Sequence, residues 1–177
     1  MALFAFEDRA PVVHADAFVA PTATLVGDVH VEAGASIWFG AVLRADVAPI
    51  VVRAGATVLD GAVVYASAGL TVDIGEGATI GTCAVIRGAV VEAGAVIGTN
   101  AMLLDAVTIG AGAFVAAGSV VASRTRIPAG YLATGTPAVP RRPVTGSPGE
   151  ILVATTASDA ADLADRHRCG LRPFPNL

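Results

Sequence analysis

Tyrosine, cysteine and arginine side chains, set in a chain otherwise filled with aliphatic and small residues, are the first places to look for chemistry. An arginine such as Arg87 is a fixed cation whose planar fork grips a carboxylate through two parallel hydrogen bonds. A tyrosine such as Tyr65 can give a proton or a hydrogen bond to an oxygen that gains charge in a reaction. Cys83 becomes a nucleophile where a cation lowers its pKa; the plainer reading is a small residue buried in a corner of the fold. The histidines offer less. His14, His30 and His167 stand far apart with no ligand spacing between any two, and they read as surface residues. Cys83 and Cys169 make neither a disulfide framework nor a metal cluster.

The elements that must position these residues announce themselves as a repeat. Every sixth residue from Val19 is aliphatic: Val19, Leu25, Val31, Ile37, Leu43. The phase breaks at RADVAPI and resumes as Val52, Val58, Val64, then breaks at ASAGLTVD and resumes as Ile74, Ile80, Ile86. After a short step it continues as Val91, Ile97, Leu103, Ile109, Val115, Val121, Ile127. Neither a helix nor a half-buried strand has this period. A hexapeptide repeat predicts an all-β solenoid, a parallel β-helix in which each hexapeptide makes one short strand and one turn. Alanines at the fifth position, from Ala23 to Ala113, fit cramped corners, and glycines such as Gly34, Gly55 and Gly77 supply turn conformations. Residues 1–146 form this domain with its lead-in and post-coil segment. Residues 147–177 form a C-terminal α-helix and tail: Ser147 to Glu150 fits a capping box with Pro148 at the first helical position, and Gly170 stands near the stop. The helix presents a weak apolar face of Ile151, Ala154, Ala161 and Ala164, which is expected to lie on the coil or on a neighbouring subunit.

Composition narrows the function. At 177 residues the chain is one domain's worth, and with aromatics at 5% its core must be built from aliphatic and small side chains. A net charge of -4 argues against a nucleic-acid partner, and the arginines gathered near the C-terminus read as a solvated tail. The N-terminus carries Glu7 and Asp8 within a short apolar run, so no signal peptide is expected. Ala106 to Ser123 is uncharged, but its spaced glycines and six-residue period mark it as buried repeat and not a membrane span. A cytoplasmic protein without membrane association is the expectation.

Several segments resemble the γ-class carbonic anhydrase family: AFVAPTATLVGDV, SIWFGAVLRADVAPI, VLDGAVVYASAG, IGTCAVIRGAVV and IPAGYLATGTPAVPRRPVT. The run from Trp38 to Asp46, Trp-Phe-x-Ala-Val-Leu-Arg-x-Asp, is the specific part. The resemblance implies a left-handed β-helix, a C-terminal helix, a homotrimer, and a zinc at each subunit boundary held by three histidines, two from one subunit and one from the next. It also implies that Arg44 and Asp46 match an Arg-x-Asp pair, and that Asp60 pairs with Arg44 across the interface. The three ligand positions fall on Tyr65, Thr82 and Arg87, and a glutamine position on Leu59. No metal and no other cofactor is therefore expected, and carbonic anhydrase activity is not.

What the resemblance leaves is a subunit-interface pocket with altered residues. Arg87 and Arg44 would bind a small carboxylate or other anionic ligand, with Asp46 and Thr82 beside it, and Tyr65, Arg87 and Cys83 would carry any catalysis. The alternative for Arg87 is an interface ion pair with Asp46 or Asp60, and Asn100 and Asp105 read as turn residues. Three classes stay open: a metal-independent enzyme acting on a small carboxylate or acyl substrate by lyase, isomerase or thioester chemistry; an inactive binding or assembly subunit; and a hexapeptide acyltransferase. The last is disfavoured because no histidine lies between His30 and His167.

Overall fold

A computed structural model describes residues 1–147 and 149–173. The hexapeptide phase becomes a parallel β-solenoid of about seven turns with one C-terminal helix. Each turn contributes a short strand to each of three faces. The first face stacks Ala2–Phe4, the start of Thr24–Val31, the start of Val42–Val52, Val63–Tyr65, Val85–Arg87, Met102–Leu103 and Val120–Val121. The second stacks Val12–Val13, the ends of the same two long strands, Val72–Ile74, Val90–Val91, Thr108–Ile109 and Arg126–Ile127. The third runs from Phe18–Val19 through Ser36–Ile37, Thr57–Val58, Thr79–Ile80, Val96–Ile97 and Phe114–Val115 to Tyr131–Gly135. Ala138–Pro143 folds back on that last strand as an antiparallel partner and ends the stack.

The core is the sequence phase made solid. From Leu25 to Ile127 every phased aliphatic is buried, and so are the fifth-position alanines from Ala23 to Ala113. Stacking makes each of these side chains a partner of its counterparts one coil above and below, so the coil fills itself without aromatics. Val19 alone of the phased residues is half-buried, because the first coil ends openly in a cavity of about 650 Å³ that Val19 helps line. Ala106 to Ser123 lies within the stack as the strands Thr108–Ile109, Phe114–Val115 and Val120–Val121. No helix among the described residues is long and apolar enough to cross a membrane.

The three corners differ. Two are regular and bonded coil to coil: at one, the Gly55 amide donates to the Ala33 carbonyl and the Gly77 amide to that of Ala54; at the other, the Cys83 amide donates to the Asp60 carbonyl. The third corner, between the first and second faces, holds every irregularity of the repeat. RADVAPI is carried through it by the long strand Val42–Val52, the segment after Tyr65 forms a loop closed between Ser67 and Leu70, and the short step passes at Gly88 and Ala89. On the second face Arg53 ties three coils together, donating from Nε and Nη2 to Asp73 and from Nη1 to Glu32. The hydrogen-bonded Asp73 carboxylate, then Glu32, hold its pKa above the ordinary arginine value, so it stays charged at any working pH.

The helix α1 (Gly149–Gly170) is capped by the expected side chains but not through the reciprocal box: Ser147 Oγ accepts from the Gly149 amide and the Glu150 carboxylate from the Gly146 amide, while the Ser147 and Glu150 amides donate to backbone carbonyls. Pro148 lies outside the described residues. At 22 residues α1 extends about 33 Å, long enough to run back from Phe114 near the end of the coil to Phe18 and Trp38 at its start. It lies on the third face of its own coil. The apolar face differs from the one expected: Ile151 is 71% exposed, Ala154 and Ala161 are exposed, and the buried residues are Gly149, Ala160 and Ala164. Small residues face the coil because the strands beneath present Ser36, Thr57 and Thr79, leaving room only for a close approach.

Candidate functional site

Coil stacking places three chemically able residues in one row. Arg44, Tyr65 and Arg87 are register partners at the end of the first face on three successive coils. The guanidinium carbon of Arg44 lies 5.6 Å from the centre of the Tyr65 ring and that of Arg87 5.9 Å, within the range of cation–π attraction. Each arginine is held by Nε. Arg44 Nε is 3.4 Å from Asp46 Oδ2, and Arg87 Nε is 2.9 Å from Asp105 Oδ1. Ser67 Oγ joins the second pair, accepting from Arg87 Nε at 3.2 Å and donating to Asp105 Oδ1 at 2.7 Å. The terminal nitrogens of both arginines make no hydrogen bond to side chains among the described residues, so two guanidinium forks remain open beside the Tyr65 ring.

The remaining residues of interest gather at the opposite corner of the same face. Asp60, Thr82 and Cys83 lie on successive turns there, linked by the Cys83 amide to the Asp60 carbonyl and by the Asn100 amide to the Thr82 carbonyl. One chain thus brings Arg44, Asp46, Tyr65 and Arg87 together, brings Asp60, Thr82 and Cys83 together, and keeps the two groups at opposite ends of the first face.

Three expectations need correction. Cys83 is not buried in a corner; it is exposed on the outside of one, with a left-handed φ of 58°. Arg87 pairs within its chain with Asp105. Asp105 is more than a turn residue, and Ser67 went unnoticed altogether; the signal for Asp105 was its place one full coil beyond Arg87 at the same irregular corner. His167 is not a surface residue but half-buried, with its ring centre 5.8 Å from that of Phe18, 5.2 Å from Trp38 and 5.7 Å from Phe39.

These donors do not fit zinc. A catalytic zinc takes three imidazole, thiolate or carboxylate donors near 2 Å and one open position. In the row, Arg87 presents a guanidinium that has no lone pair to give, and Tyr65 a phenol flanked by two cations. Among the described residues no three His, Cys, Asp or Glu side chains converge. What the row offers is hydrogen-bond donors for an anionic or carbonyl oxygen.

Residues 88–123 match the family model described as bacterial transferase hexapeptide, six repeats. Over 138 residues the chain is 39% identical to the carnitine operon protein CaiE of Escherichia coli, covering 78% of this chain and 70% of that protein. To CaiE of Salmonella agona it is 37% identical over 171 residues, covering 97% and 86%. The chain belongs to the γ-carbonic anhydrase-like and CaiE family of hexapeptide-repeat proteins. The plant side of the family is represented by γ carbonic anhydrase 1, mitochondrial, of Arabidopsis thaliana, 41% identical over 167 residues and 90% of this chain. The chain spans 60% of that relative's length. Among solved structures of this fold, a Bacillus cereus protein named as an acetyltransferase superposes with a TM-score of 0.91 at 28% identity, covering 94% of this chain and 96% of that one. A hexapeptide transferase family protein from Anaplasma phagocytophilum superposes with a TM-score of 0.87 at 30% identity, covering 93% and 96%.

Proposed function

We propose that this family member is a zinc-independent homotrimer whose subunit boundaries form pockets for a small carboxylate or acyl substrate, and that it is not a carbonic anhydrase. One observation carries the reading: the row Arg44–Tyr65–Arg87 and the turn group Asp60–Thr82–Cys83 stand at opposite ends of one face. Packing first faces around a threefold axis sets the row of one subunit against the turn group of the next. The open forks of Arg87 and Arg44 would take the carboxylate by bidentate hydrogen bonds, and Tyr65 would donate to an oxygen gaining charge. Cys83, exposed on the facing corner, is the group available for acyl transfer.

The name carbonic anhydrase belongs to the plant relatives and is not extended to this chain, since the donors described above do not suit zinc. The name acetyltransferase is likewise left with the solved structure; no histidine lies in the coil between His30 and His167 to act as its base. A cytoplasmic location is part of the proposal. A second reading, an assembly subunit without catalysis, draws on the closure of Arg87 by Asp105 and Ser67, which also serves simply to pin the loop after Tyr65.

Mass in solution and metal content come first: a trimer lacking stoichiometric zinc is expected, and stoichiometric zinc overturns the reading. Calorimetric titration with small carboxylates then separates pocket from scaffold. Arg87→Ala and Tyr65→Phe should each weaken binding about tenfold or more, the loss of one charge-assisted hydrogen bond, while leaving the trimer folded. Unchanged affinity in both variants rejects the site.

A further inference from the structure

The first coil has no neighbour on its outer side. Leu3, Val13 and Val19 are the register partners of the buried Leu25, Val31 and Ile37, so they continue the three aliphatic stacks of the core by one layer. Beyond them the stacks stop. All three line the cavity of about 650 Å³, which lies where one more coil would sit. Leu3 keeps 41% of its surface exposed, whereas Leu25 beneath it keeps none. Solenoids need a terminal unit with a polar outer side to cover such an end. This end instead exposes Met1, Phe4, Phe6 and Val12 as well. Large apolar side chains gathered in the open mark a surface that another protein covers.

The backbone is open at the same place. Ala2–Phe4, Val12–Val13 and Phe18–Val19 are the first strands of their faces, and each pairs with a neighbour on one side only. A free strand edge is a template for further pairing. The opposite end of the stack differs. There Ala138–Pro143 turns back on Tyr131–Gly135, touches Val120–Val121, and carries the exposed Arg141 and Arg142. Head-to-tail stacking of copies would need an open surface at both ends, and only one end is open. The arrangement that remains is isologous, with the open ends of two copies related by a twofold axis. An axis through the first face sets Ala2–Phe4 antiparallel to its counterpart, Leu3 against Leu3. It also sets Val13 on the second face of each copy against Val19 on the third face of the other. Aliphatic then meets aliphatic in all three stacks.

We infer that the first coil is a docking surface for a second copy of this chain, the two copies joining end to end about a twofold axis. The join is separate from the first-face boundaries and holds whether or not those form. It doubles the mass that any side-by-side assembly gives.

The test is the mass and shape of the full chain in solution, by analytical ultracentrifugation and small-angle X-ray scattering. About seven turns at about 4.8 Å each make one coil about 34 Å long. Joining end to end should double the particle's length along that axis without widening it. Leu3→Glu and Val13→Glu put a charge at the centre of the join, where the cavity lets water reach it in the separate copy. Each should halve the mass and shorten the particle while the strand signal in circular dichroism is kept. Arg141→Glu, at the closed end, should change neither mass nor length. A particle one coil long at every concentration overturns the inference, as does a doubled mass that survives both Glu substitutions. Crystallographic density showing the cavity filled by the chain's own residues 174–177 overturns it as well.

Discussion

Cys83 holds a backbone angle that its counterparts at the same corner mostly leave to glycine. Gly40, Gly61 and Gly118 take left-handed φ values of 68°, 66° and 67°, Asn100 takes 57°, and Cys83 takes 58°. A residue with a Cβ pays for that conformation in the folded state, by roughly 1–2 kcal/mol. Glycine would remove most of the penalty and return part of the gain as chain entropy. Cys83→Gly is therefore expected to raise stability by about 0.5–1 kcal/mol in urea denaturation, whereas Cys83→Ser should change it little. A fall in the glycine variant would mean that the thiol makes contacts the fold depends on. Strain kept at an exposed thiol beside the turn of Thr82 suits a functional residue better than a structural one. The same exposure predicts that Cys83 reacts with a thiol reagent in the folded protein, measured in a Cys169→Ser background because Cys169 is exposed too.

At the scale of elements, α1 shows which helical signals a sequence carries plainly. Ser147 and Glu150 were readable because a cap needs particular side chains at fixed spacing; both do cap the helix, though each takes the amide one residue before the one a reciprocal box would use. The buried face was not readable. Burial there is decided by how closely the helix approaches Ser36, Thr57 and Thr79, so Ala160 and Ala164 go inside while Ile151 and Leu152 stay out. The helix is anchored at its far end by His167 against Phe18, Trp38 and Phe39. Trp38 is the single tryptophan and is 4% exposed, so its emission reports that anchor. His167→Ala should shift the emission to the red while the strand signal in circular dichroism is retained. An unmoved spectrum would place the anchor elsewhere along α1. Ser147→Ala should cost about 1 kcal/mol, seen as earlier loss of helical signal in denaturant.

For the whole molecule, the repeat was legible because one aliphatic per strand is all that each face of each coil requires. Ile86 is such a residue, fully buried and stacked between Val64 and Leu103. Ile86→Ala should cost about 2–5 kcal/mol, read from the denaturation midpoint; a much smaller loss would mean that the coils collapse to fill the gap. The row Arg44–Tyr65–Arg87 was only half legible. A resemblance marked its members, but Ser67 and Asp105 reach Arg87 through the geometry of the irregular corner, where no period relates one coil to the next. The two regular corners admit no change of length, because one added residue would throw every later strand out of register with its neighbour. The corner after Tyr65 has already absorbed departures from the period in successive coils, and Ala68 and Gly69 at its tip are exposed. A loop there can be lengthened while the strands of the stack keep their register. A label or a short foreign loop grafted between Ala68 and Gly69 would ride on an intact solenoid, beside the row it is meant to report on.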